Sequence, residues 1–124
     1  MVKIVVGGQI SKQEIADLTK QILGEQVEVA IKGDLEAAMA LKSKEFDYYI
    51  GACNTGGGGA LALAIALLGA DNCATVSMPG KICSNEEIKQ YVVSGKIAYG
   101  FTAQHAETVL PILLEALLNK KEEM

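Results

Sequence analysis

Four consecutive glycines, Gly56 to Gly59, lie between a short apolar segment and a long one, and they constrain this chain more than any other feature. Residues 46–68 read FDYYIGACNTGGGGALALAIALL. Asp47 to Ala52 is rich in aromatic and β-branched types and too short for a helix, which predicts a strand, whereas Ala60 to Leu68 is built from strong helix formers. The polar break Cys53-Asn54-Thr55 and the glycines then form a tight loop at a helix start. Backbone N–H groups there have no intrahelical acceptor and carry the positive end of the helix dipole. Glycine also lets a ligand approach those groups with no Cβ in the way. The stretch therefore predicts a site for a small anion.

The flanking chain alternates strand and helix signals. Val2 to Val6 is a β-branched run, interrupted at Lys3 and ended by Gly7-Gly8, as suits a strand buried on both faces. Ser11 and Glu14 have capping-box spacing ahead of a helix that carries Ile15, Leu18, Ile22 and Leu23 and ends at Gly24. In Val27 to Ile31, apolar Val27, Val29 and Ile31 alternate with Glu28 and Ala30 as in an edge strand, and Asp34 is expected to cap a helix through about Lys44, with Leu35, Ala38, Met39 and Leu41 inward. After the glycine unit, Cys73 to Met78 reads as a fourth strand closed by Pro79-Gly80. Ser84, with Glu86 and Glu87, opens a helix ended by Gly95. Ile97 to Phe101 is the fifth strand. A last helix from Thr102 or Ala103 to about Leu118 contains Pro111, which predicts a kink or a later start, and Asn119 to Met124 reads as a frayed tail.

Five strands alternating with five helices predict one α/β domain over residues 1–124, a three-layer αβα sandwich around a five-stranded parallel sheet. The expected strand order is the flavodoxin-like, Rossmann-like 2-1-3-4-5, with the ligand crevice at the switch point between the first and third strands. Gly8 and Gln9 after the first strand, and Cys53 to Gly59 after the third, meet there. The ligand-binding candidates are thus Gly8, Gln9, Asn54, Thr55, Gly56, Gly57, Gly58, Gly59 and Lys81, the last being the cation expected nearest the crevice. A thiol facing a helix N-terminus is expected to have a lowered pKa, which makes Cys53 the candidate base or nucleophile. His105 is a weaker candidate for proton transfer, because a single histidine near a helix start is usually solvated and because its strand is expected at the far edge. Cys73 and Cys83 read as structural, and Tyr48, Tyr49 and Tyr99 as core or interface residues.

Composition narrows the partners. A net charge of −4 argues against nucleic-acid polymers and membrane surfaces, both of which favour a basic face. All eleven basic residues are lysines, so an anion must be held by lysine and backbone N–H groups rather than by the arginine fork. Three cysteines with no CxxC spacing indicate neither a disulfide framework nor a metal site, and they fit a reducing cytoplasm. No cofactor is expected, and Met1 to Val6 reads as a strand rather than a leader. The helix Ala60 to Leu68 has no polar face, which predicts a homodimer packed through it or a place as a subunit of a larger enzyme.

Two resemblances arise at the same stretch. Through YYIGACNTGGGGALALAIA, the later PGK and the Gly100 to Gln104 region, the chain resembles the YhfU-like family of uncharacterised bacterial proteins, the domain of unknown function numbered 2620. That resemblance implies no established activity. Locally, Cys53 to Gly58 is similar to the Cys-Gly-Thr-Gly-x-Gly loop of the ribose-phosphate isomerase B and galactose-phosphate isomerase family. It implies a base role for Cys53 and an enediolate held by the amides of Gly56 to Gly59. The family's Asp-His pair after the first strand is replaced by Gly8-Gln9, and Asn54 stands for a glycine. The primary expectation is a cytoplasmic protein that binds a small anionic metabolite, such as a phosphosugar, nucleotide or carboxylate, at the loop after the third strand. An isomerase-like enzyme with Cys53 as base is the alternative, and a cysteine phosphocarrier a minority one.

Overall fold

The computed structural model describes residues 1–54 and 57–123. The expected Thr55 and Gly56 contacts therefore lie outside the described residues. The strands are β1 (Val2–Gly8), β2 (Val27–Ile31), β3 (Tyr48–Cys53), β4 (Cys73–Thr75), β5 (Ser77–Met78), β6 (Lys81–Ile82) and β7 (Ala98–Thr102). The helices are α1 (Lys12–Leu23), α2 (Asp34–Lys42), α3 (Gly57–Leu68), α4 (Asn85–Val93) and α5 (Ala106–Glu122). A five-stranded parallel sheet, ordered β2-β1-β3-β7-β4, forms the middle layer. Residues from α1, α4 and α5 pack on one face of it, and those of α2 and α3 on the other. This is the expected three-layer sandwich.

The last two strands exchange places relative to the expected 2-1-3-4-5. Burial explains the exchange. All five residues of β7 are buried, and at Gly100 an added Cβ would fall 2.7 Å from the Leu61 side chain, so β7 packs closely under α3 as an inner strand. The strand expected over residues 73–78 instead stops at Thr75, with both of its end residues half-exposed, as befits an edge. Ser77 and Met78 turn away to pair with β6 in a small hairpin closed at Gly80, which has φ 79°.

Other departures are local. Ser11 occupies the α1 N-cap position at φ 59° with no side-chain cap bond, so the expected capping box does not form there. It forms at α4, where the Glu87 N–H donates to Ser84 Oγ and the Ser84 N–H to Glu87 Oε1. Gly33, not Asp34, caps α2, and Asp34 is its first helical residue. Leu35 and Met39, expected inward, are exposed, because Ala37, Ala38, Ala40 and Leu41 take the buried face. Three helical residues precede the expected α3 start at Ala60. A 3-10 turn over Ala103–His105 delays α5 to Ala106, and Pro111 lies inside that helix. The tail expected to fray is helical to Glu122, and Lys121 is held to Asp47 by a 3.0 Å ion pair.

Candidate functional site

Side chains alternate along a strand, so the packing clusters show which face each one meets. Tyr49 and Ala98 belong to the cluster of Leu61 and Ala64 from α3. Gly51 and Cys53, two and four residues beyond Tyr49, share that face, as do Gly100 and Thr102 beyond Ala98. Cys53 and Thr102 are register partners at the C-terminal ends of β3 and β7. Gly100 underlies Ala60 and Leu61, so Thr102, one step further along β7, lies towards the start of α3. The first turn of a helix directs N–H groups without intrahelical acceptors past its end. Two buried side chains, Cys53 at 1% exposure and Thr102 at 4%, therefore adjoin that turn.

The end of β1 closes on β3. Gly8 has φ 81°, and a Cβ there would lie 2.5 Å from the Ala52 nitrogen. The Gln9 N–H donates to the Ala52 carbonyl at 2.9 Å, and the Gln9 side chain packs against Gly59, where an added Cβ would be 2.5 Å from Oε1. Beneath this junction the Tyr49 hydroxyl accepts from the Gly8 N–H at 2.9 Å and donates to the Ala60 carbonyl at 2.7 Å. Tyr49 is thus a core residue, as expected, and also the tie between β1 and the first turns of α3. Burial and the nearby Asp34 charge push its phenol well above the ordinary range, so it stays protonated.

The structure brings Gly8, Gln9, Cys53 and Gly59 together and places Asn54, exposed, beside them. It does not add Lys81 to that group. Lys81 is exposed on the β6 hairpin, beside Cys83 and Glu87 in a hollow of about 270 Å³ along the β4 edge. Lys12, the first residue of α1, is the cation whose charge acts on Asp34. Its position at the start of the helix that follows the Gly7-Gly8-Gln9 turn was readable from topology. His105 follows an inner strand rather than the far edge, which removes one reason for weighting it lightly, and its Nδ1 is buried with no partner. Cys53 is more deeply buried than Cys73 or Cys83, whose thiols burial pushes up. None of the three is in a disulfide, and the described residues hold no metal-ligating cluster.

Asp34 was missed as anything but a cap. One carboxyl oxygen is buried without a partner, and desolvation raises the pKa, offset in part by Lys12 and by the Gly8 backbone. A carboxyl with a raised folded pKa favours folding below its unfolded value, 3.8, and loses that contribution as pH rises through the folded value. Asp34→Asn is therefore expected to melt above wild type at pH 7, with the gap closing below pH 3.8. Melting curves across that range check this, and a lower-melting variant at pH 7 would show that the charge stabilises the fold.

Two other hollows suit an anion poorly. The hollow of about 520 Å³ between α1 and the start of α5 is lined by Glu14, Asp17 and Glu107 with no lysine. One of about 410 Å³ between α4 and α5 mixes Lys89 and Lys120 with Glu115 and Glu123.

The fold has solved counterparts. Ribose-5-phosphate isomerase B of Giardia lamblia superposes with a TM-score of 0.67 at 19% identity, covering 94% of each chain. The ribose 5-phosphate isomerase of Thermotoga maritima gives 0.68 at 19% identity, covering 94% of this chain and 86% of that one. At that identity the likeness is one of fold. In sequence, the uncharacterized protein YhfU of Escherichia coli K12 and that of Shigella flexneri are each 40% identical over 117 residues, 94% of this chain and 99% of the relative. Residues 2–117 match the family described as protein of unknown function DUF2620, and the chain belongs to that family.

Proposed function

We propose that this protein binds a small anionic metabolite, such as a phosphosugar, nucleotide or carboxylate, where the ends of β1, β3 and β7 meet the start of α3. The observation that carries this reading is the direct entry from β3 into a glycine-started helix at the C-terminal edge of a parallel sheet. Open α/β sheets bind ligands at that edge, and a helix N-terminus favours negative charge. Gly57→Asp tests it, because a carboxylate in the first turn complements the helix dipole yet competes with an anion. The variant is expected to melt at or above wild type without ligand. It should lose the thermal stabilisation that phosphosugars, nucleotides or carboxylates confer on wild type, since stabilisation follows occupancy. Equal stabilisation of both proteins would remove the α3 start from the site.

The isomerase reading, with Cys53 as base, is favoured by the likeness to solved proteins titled ribose-5-phosphate isomerases and by the position of Cys53 beside the helix start. The two readings separate on turnover of a phosphosugar that binds. The cytoplasm remains the proposed compartment; no described helix is long and apolar enough to cross a membrane.

A second copy of the chain is the proposed cover for the outer side of α3. Leu63 and Ile65 are 39% and 41% exposed there, and Leu35 and Met39 of the neighbouring α2 continue the apolar surface. Sedimentation of wild type as a dimer, and of Leu63→Lys as a folded monomer, is the expected result. A monomeric wild type would refute it.

A further inference from the structure

We propose that the ligand's acid group docks on the β7 side of Cys53, with the Thr102 hydroxyl as a direct contact, rather than in the crevice between β1 and β3. The inference rests on the anion-binding reading above and specifies where that anion lies. The β1 side is already filled. Gly8 touches the Ala52 backbone, the N–H groups of Gln9 and Ile10 both donate to the Ala52 carbonyl, and the Gln9 side chain covers Gly59. A ligand entering there would have to displace main-chain hydrogen bonds.

The β7 side has the opposite character. Thr102 is 4% exposed, and its Oγ1 is buried with no hydrogen-bond partner. Buried polar side-chain atoms are nearly always bonded, and an unmade hydroxyl bond works against folding, so a folded chain that keeps one has a use for it. The Thr102 backbone is not the loose part. Its N–H donates at 2.9 Å to Ser77 Oγ, itself buried, so the hairpin pins the end of β7 while the hydroxyl stays unsatisfied. That hydroxyl stands on the α3-facing side of the sheet, next to Cys53 in register and beyond the point where Gly100 underlies Ala60.

The chemistry that completes this arrangement is an oxyanion. A threonine hydroxyl donates one hydrogen bond, and the helix start supplies N–H donors that also seek acceptor oxygen. With no arginine in the chain, the grip is a hydroxyl and main-chain amides, which suits a compact acid group, either a carboxylate or a phosphate monoester.

Thr102→Val deletes the hydroxyl with little change of shape, and Thr102→Ser keeps it. The full-length proteins are compared by thermal melting and by titration, with inorganic phosphate in one arm and acetate in the other, so that the arms distinguish the two acid classes. Without ligand, Thr102→Val is expected to melt above wild type, because an unpartnered buried hydroxyl has been removed. Its affinity for the probe that stabilises wild type should fall about tenfold or more, while Thr102→Ser stays near wild type. Equal affinity in Thr102→Val and wild type would overturn this inference and leave the anion-binding reading standing. A lower melting temperature in Thr102→Val would also overturn it, by showing that the hydroxyl serves the fold. No stabilisation of wild type by either probe would overturn both.

Discussion

Gly8→Val is expected to destabilise the fold by roughly 3–5 kcal/mol, because a strained backbone conformation and a clash with main chain fall on one residue. Gly8 has φ 81°, where a β-branched residue is an outlier. The new Cβ would meet the Ala52 nitrogen at 2.5 Å and its carbonyl oxygen at 2.8 Å. These atoms belong to a strand paired on both sides, so they can retreat only by breaking ladder bonds. Gly80→Val is the control. Its φ of 79° is nearly the same, but nothing lies within 4 Å of its Cβ position, so it carries the strain without the clash. Urea unfolding of the two variants separates the contributions. Equal losses would mean that β3 yields to the added side chain and that the Gly8 junction is soft.

Tyr49→Phe is expected to lose about 1–3 kcal/mol, chiefly from leaving the buried Gly8 N–H without an acceptor. Its consequence for the site is larger than the figure suggests. The hydroxyl bridges Gly8 on β1 and Ala60 on α3, and two neighbouring glycines make room for the ring. A Cβ at Gly7 would lie 2.6 Å from the Tyr49 ring, and one at Gly51 would be 3.1 Å from its hydroxyl. Removing the hydroxyl unties the loop at the end of β1 from the first turns of α3 without creating a cavity of any size. Amide hydrogen exchange at Gly8 should accelerate in the variant relative to the rest of β1. Unchanged protection there would show that another acceptor replaces the phenol.

Both expectations depend on contacts between residues more than forty positions apart, and that separation explains what could be read in advance. The apolar residues of Val2 to Val6 announced a strand buried on both faces, and the alternation in Val27 to Ile31 announced an edge; both hold, with Lys3 the one exposed residue of β1. Aromatic and β-branched residues before four glycines, and alanines and leucines after them, were enough to place β3 and α3. These are local signals, since periodicity and glycine content report on a dozen residues at a time. The same local reading misjudged Leu35 and Met39. In an alanine-rich helix the apolar stripe can be drawn two ways, and the sheet chose the smaller residues for close approach.

The sequence by itself determined the αβα sandwich, its five parallel strands and the location of a helix behind a glycine run at the C-terminal end of the third. Only the tertiary structure decided which strand lies beside the third. Ile97 to Phe101 and Cys73 to Met78 are both short apolar runs, and the choice rests on comparative burial: β7 is buried throughout, while β4 keeps three residues and sheds the remainder into a hairpin. That choice brings Thr102 into register with Cys53, moves His105 in from the edge and leaves Lys81 outside the group. Neighbours across a parallel sheet are set by which strands bury best together, a competition among distant segments that no single segment records.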